Sequence, residues 1–139
     1  GHGETFMHPQ NILWWSHGGT LHGESEPRFA FLKKIWEDVP GGYLKWAPGI
    51  FDETVGIPAD QERIFDPAGQ KMEMADYELH YYGFGRPGFK MLAFPPGKKY
   101  HVDLIDTWNM TITDCGVREG VSRVEMPGRQ WMMLRFRAV

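Results

Sequence analysis

The residues with chemistry to offer crowd the first 28 positions, GHGETFMHPQNILWWSHGGTLHGESEPR. His2, Glu4, His8, His17, His22 and Glu24 supply imidazoles and carboxylates, and Trp14-Trp15 supply two adjacent indoles. Gly1, Gly3, Gly18, Gly19 and Gly23 let the backbone turn freely and let a ligand approach closely. A sugar suits this set. Its axial C–H face rests on an aromatic ring while its hydroxyls need polar partners at the rim. In a strand Trp14 and Trp15 face opposite ways, so one can serve a core and the other a ligand. Cleaving a glycosidic bond usually takes two carboxylates roughly 5 to 9.5 Å apart. Glu4 and Glu24 are the two in this set, and the sequence alone does not bring them together. Alternatively, Glu24 beside Ser25 favours the start of a helix through its dipole. His2-x-Glu4-x-x-x-His8 has donor types for zinc, but its spacing matches no zinc motif. Hydrogen bonding to hydroxyls or to backbone is the other role open to these residues, and no metal or cofactor is assigned to the chain.

The elements that must hold these groups can be read from spacing. Residues 1–6 suit a short buried strand, and Pro9-Gln10-Asn11 a turn. Ser25 is a good N-cap and Pro27 fits a first helical turn. Phe29, Phe31, Leu32, Ile35 and Trp36 then give one wide apolar face, which predicts a helix over 26–38. It stops at Val39-Pro40-Gly41-Gly42. Residues 40–76 are rich in Pro, Gly and Asp without a sustained period, and predict a long irregular connection.

From Tyr77 the period becomes two. Strands are predicted at 77–82, at 89–93, and from Tyr100 through Leu104. A further strand alternates Trp108, Met110 and Ile112, followed by a loop around Cys115-Gly116. The last two, 121–126 and 130–137, are predicted to pair around Pro127-Gly128. Short strands at this spacing predict an antiparallel β-sandwich. Asn109-Met110-Thr111 is formally a glycosylation acceptor, but a bend whose side chains bind the backbone is the better reading. Cys115 has no His or Asp spacing that suggests a nucleophile.

Composition narrows the function classes. With 42% hydrophobic and 24% charged residues, the 139-residue chain can form a packed core. A net charge of −3 and scattered Lys and Arg disfavour a nucleic-acid partner. No apolar run approaches the roughly 18 residues of a membrane span, so no membrane partner is expected. One cysteine excludes an internal disulfide. The chain starts without Met and without a signal-peptide pattern, which is the expectation for a piece of a longer polypeptide; its compartment stays open.

GHGETF followed by ILWWSHGGTLHGESEPRFAFLKKI resembles the end of the catalytic domain in a group of bacterial glycoside hydrolases with a (β/α)8 barrel. The remainder, with LHYYGFGRPGFKMLAFPPGKKYHVDLIDTWNMTI and MPGRQWMMLRFRAV, is similar to the β-sandwich domain of unknown function that follows that barrel. The resemblance implies a mainly β fold, an antiparallel sandwich over 40–139 preceded by a strand-loop-helix remnant of the barrel over 1–39. Residues 1–6 would be the eighth strand and 27–38 the eighth helix. His2, Glu4, Trp14, Trp15, His17, His22 and Glu24 would lie at the barrel mouth and bind carbohydrate. The catalytic carboxylates of such enzymes come from the fourth and seventh strands, which this chain lacks. The resemblance therefore implies a fragment inactive alone, whose partners are carbohydrate and the rest of the barrel. Self-association through the N-terminal segment would be a further consequence, since one stave cannot close a barrel. The alternatives are a free-standing carbohydrate-binding or structural sandwich, and a protein that uses the His-rich start for a metal.

Overall fold

Phe31, Leu32, Ile35 and Val39 recur at the steps that put apolar groups on one side of a helix. The structure, a computed structural model, describes residues 26–47, 49, 53–66, 68 and 71–139. Helix α1 (Glu26–Glu37) has Glu26 in its first turn and Lys34 in its last, both favourable to the helix dipole. A short 3-10 turn, Pro40–Gly42, ends it, with Gly41 at φ 73° and Gly42 at φ 74°, a backbone that glycine adopts at little cost. Helix and stop agree with the sequence. The expected barrel strand and its loop lie outside the described residues.

The strands are β1 (Leu44–Ala47), β2 (Thr54–Pro58), β3 (Ile64–Asp66), β4 (Lys71–Glu73), β5 (Tyr77–Tyr82), β6 (Phe89–Ala93), β7 (Tyr100–Asp106), β8 (Thr111–Arg118), β9 (Val121–Glu125) and β10 (Met132–Ala138). Six of them form one sheet in the order β1-β2-β5-β10-β7-β8, while β3 with β4 and β6 with β9 form two ribbons. Every pairing among the described strands is antiparallel.

Alternation along the strands decides the layers. Tyr82, Tyr100, Val102, Met132, Leu134 and Phe136 share one face of the sheet, and Leu92, Phe94, Val124 and Met126 from the β6–β9 ribbon close over them. Phe94 stacks on Tyr100 at 5.3 Å between ring centroids and meets Phe136 edge-on at 6.0 Å. Tyr77, Leu79, Ile105 and Met133 share the other face, on which Ile35 and Val39 of the helical segment pack. Each such side chain, once buried, contributes about 1.5–3 kcal/mol against leaving it in water. The sheet is thus covered by a β ribbon on one side and by α1 on the other. No described helix is long and apolar enough to cross a membrane.

The mainly β, antiparallel class agrees with the sequence, but several elements differ. Residues 40–76 are not an irregular connection, since they hold β1 to β4. These strands are short, and β2 is buried on both faces from Val55 to Pro58, so no alternation marks it. Residues 108–110 are not the start of a strand. They make a turn with Met110 at φ 58°, and β8 begins at Thr111. Cys115-Gly116 is not a loop but lies inside β8, opposite a register shift between His101 and Asp103, with Gly116 at φ 76°. Nor do β9 and β10 pair with each other: β9 pairs with β6, while β10 lies between β5 and β7. Met126 N donates to Gly88 O and Gly128 N to Pro87 O, which ties the intervening loop to the start of β6 instead of folding a hairpin.

Candidate functional site

His2, Glu4, Trp14, Trp15, His17, His22 and Glu24 all lie outside the described residues, as does the rest of the barrel segment up to Ser25. What the described residues assemble is a groove beside α1. The helix covers the middle strands of the sheet and leaves the β1–β2 side open. Leu32, Ile35 and Trp36 form one wall, Leu44 and Trp46 of β1 the other, and Thr54, Gly56, Leu79, Tyr81 and Met133 the floor. Thr107, Trp108 and Trp131 close one end of this cavity of about 340 Å³. Gly56 keeps the floor low. A Cβ there would make ordinary contact with Leu44, 3.5 Å from its Cδ1, so only a longer side chain would fill the groove.

The end wall is held by a polar turn. Asp106 Oδ1 accepts from Trp108 N (3.1 Å) and Asn109 N (2.8 Å), and Oδ2 accepts from Asn109 Nδ2 (2.9 Å) and Arg129 Nη2 (2.7 Å). Burial alone would raise the Asp106 pKa, but the bonds from Asn109, the Arg129 charge and Trp108 N together hold it below the ordinary value. This is the backbone-binding bend the sequence predicts. Trp131 sits at φ 67°, a costly backbone for a bulky residue. Its N donates to Gly83 O (3.0 Å), and its carbonyl accepts from Thr107 N (3.1 Å) and Thr107 Oγ1 (2.7 Å). Of the two left-handed non-glycine residues among the described ones, Trp131 lines the groove, while Met110 ends the turn that carries Trp108.

The groove is rich in rings and poor in polar groups. Trp46 is 76% exposed, Trp36 49% and Trp108 42%. The Thr107 hydroxyl is already spent on Trp131 O. A sugar needs several convergent donors and acceptors, and an apolar protein surface does not.

A second cluster lies on the opposite face of the sheet. Glu78 is wholly buried; its Oε1 accepts from Ala75 N (2.8 Å) and pairs with Arg63 Nε (3.1 Å). Its Oε2 lies 2.7 Å from His80 Nε2, and His80 Nδ1 faces Glu53 Oε2 at 3.5 Å. Glu53 Oε1 accepts from Tyr82 Oη (2.7 Å) and pairs with Lys90 Nζ (3.2 Å). Burial pushes the His80 pKa down, but hydrogen bonds and charge from Glu53 and Glu78 outweigh it and hold it above the ordinary value. Burial likewise raises Glu53, yet His80, Tyr82 and Lys90 bring it to about 2. Both carboxylates are shut from solvent, so this pair braces the fold and offers no face to a substrate.

His101, Asp103 and Asp114 bring donor atoms within 4.8 Å of one another. Their atoms already have partners. Arg135 Nε and Arg137 Nη2 donate to Asp103 Oδ2 at 2.8 and 2.9 Å, and His101 Nε2 lies 2.9 Å from Asp114 Oδ1. Cys115 packs against the core, and burial pushes its thiol pKa up, which suits an unreactive side chain.

The sequence reading missed Glu53, Glu78, His80 and the groove tryptophans. Glu78 and His80 stand two apart on a strand, so a shared face was legible there. Nothing in the spacing of Trp36, Trp46, Trp108 and Trp131 says that they meet.

An antiparallel β module with one covering helix and an aromatic groove on the helix side is the class of protein that these features define. Residues 66–137 match the family described as Domain of unknown function (DUF5605), more than half of the chain, and the chain belongs to that family. It is also similar to a crystal structure of a putative glycoside hydrolase from Bacteroides vulgatus ATCC 8482, with a TM-score of 0.67 and 25% identity. The match covers 96% of this chain and 27% of that one, so the chain spans about a quarter of the length of its solved relative. No curated protein matches the chain.

Proposed function

We propose that the chain is the C-terminal, non-catalytic part of a glycoside hydrolase. Its sandwich is an accessory domain that packs on a (β/α)8 barrel, and α1 is the last helix of that barrel. The observation that carries this reading is the match of nearly the whole chain to about a quarter of a putative glycoside hydrolase. In this reading residues 1–39 complete the barrel. His2, Glu4, His17, His22 and Glu24 offer hydrogen bonds to sugar hydroxyls at its mouth, and Trp14 or Trp15 offers a ring face to the sugar. The chemistry belongs to carboxylates elsewhere in the longer polypeptide.

The test compares the 139-residue chain with the longer polypeptide on a panel of aryl glycosides. Turnover by the longer protein alone is the expected result, with Glu4→Gln raising its KM. Turnover by the short chain, or none by either, overturns the reading.

A further inference from the structure

We infer that the groove between α1 and the β1–β2 edge is the docking surface for the catalytic domain of the same polypeptide, which seats an apolar ridge between Trp46 and Trp108. This rests on the reading above and adds to it a named surface.

Three observations favour that occupant. Most of the solved relative lies outside the match, so a large body remains to be packed against the sandwich. The groove's wall is α1, the element that leads from one body to the other, so the groove opens at their junction. Its lining is almost all carbon, which suits a ridge of Leu, Ile or Phe and not a glycan. The backbone around it agrees. Trp131 holds a left-handed conformation at the groove's end, and such strain persists where the surroundings fix a side chain for a task. Contacts between domains of one chain typically bury about 600–1,500 Å², which a groove of this size can anchor but not supply alone.

Oxidative footprinting read by mass spectrometry tests the inference. In the 139-residue chain Trp46 should label readily, and Trp108, covered on its ring by Arg28, to a lesser degree. In the longer polypeptide they should lose most of that labelling, while Met91, exposed on the outer face of the β6–β9 ribbon, labels equally in both. Gly56→Ile, which raises the groove floor without removing a ring, should restore the labelling of Trp46 in the longer polypeptide and separate the two domains into independent thermal transitions.

A longer polypeptide that hydrolyses glycosides while Trp46 stays fully labelled overturns the docking and leaves the glycosidase reading intact. A reading frame with no catalytic domain overturns both. Protection of Trp46 already present in a monomeric 139-residue chain assigns the groove to residues 1–25 and overturns the inference. Protection that rises with concentration assigns it to a second copy, and protection by an added oligosaccharide assigns it to glycan. Either result overturns the inference too.

Discussion

Arg28 and Trp108, eighty residues apart, clasp each other beside the groove: Arg28 Nε donates to the Trp108 carbonyl at 2.9 Å, and its guanidinium lies 3.8 Å from the centre of the indole. One side chain thereby ties the start of α1 to the turn between β7 and β8. The clasp adds to the packing of Ile35 and Val39 and to the Arg135–Asp38 ion pair in holding the helical segment on the sheet.

Replacing Arg28 by Ala removes a partly exposed cation–π contact and a hydrogen bond, together roughly 1–2 kcal/mol of stability. Arg28→Lys keeps the charge but not the planar stacking, so its loss should fall between wild type and Ala. Urea denaturation midpoints of the three proteins decide this. Equal midpoints would show that the clasp adds nothing.

Glu78→Gln strikes the buried cluster. It leaves Arg63 and His80 short of a full counter-charge in a place closed to water. Breaking one member of such a buried pair costs about 3–5 kcal/mol. The exposed pair Lys98–Asp76 is the control, since Lys98→Gln should change stability by less than about 1 kcal/mol. A small effect at Glu78 would mean that the cluster relaxes or is wet.

The same cluster sets a pH profile. Glu53 is held at about 2, below its ordinary 4.5. Its contribution is therefore complete above the ordinary value and is lost as pH falls from there toward 2. His80 is held above its ordinary 6.5, so its contribution is complete below that value and is lost as pH rises through the folded pKa. The groups facing it are Glu53 and Glu78, with Arg63, Lys90 and Tyr82 behind them. Thermal melts should peak between those limits and fall on both sides. Glu53→Gln should flatten the acid limb only in part, because Asp106 and Asp114 are also held low and titrate on that side. An acid limb unchanged by that substitution would remove Glu53 from the account.

Periodicity carried much of the fold. Helix α1 was legible because its apolar groups keep a helical step and glycines follow it. Strands β5 and β6 were legible from alternation. On β6, however, alternation did not tell which side is inner. Phe89 and Met91 face solvent, while Lys90 turns inward to Glu53. Spacing could not give partners either. The pairing of β9 with β6, and the seat of β10 between β5 and β7, depend on contacts between distant segments such as Met126 N to Gly88 O. The groove is the same kind of feature, since its tryptophans come from α1, β1, a turn and a loop. The sugar-binding set read from the first 24 residues lies outside the described residues.

Thr107 gives a last, local prediction. Its hydroxyl and its N–H both donate to the Trp131 carbonyl, at 2.7 and 3.1 Å, and Trp131 N is held in turn by Gly83 O. Those three bonds offset the cost of Trp131's φ of 67°. Thr107→Val keeps the shape and the backbone bond but deletes the hydroxyl donor. It should cost about 0.5–1.5 kcal/mol and loosen the Trp131 ring, which shows as a weaker near-ultraviolet circular dichroism signal. Thr107→Ser keeps the donor and should retain most of both. If Val and Ser behave alike, the hydroxyl is not what holds Trp131, and the end wall of the groove stands on the Asp106 turn alone.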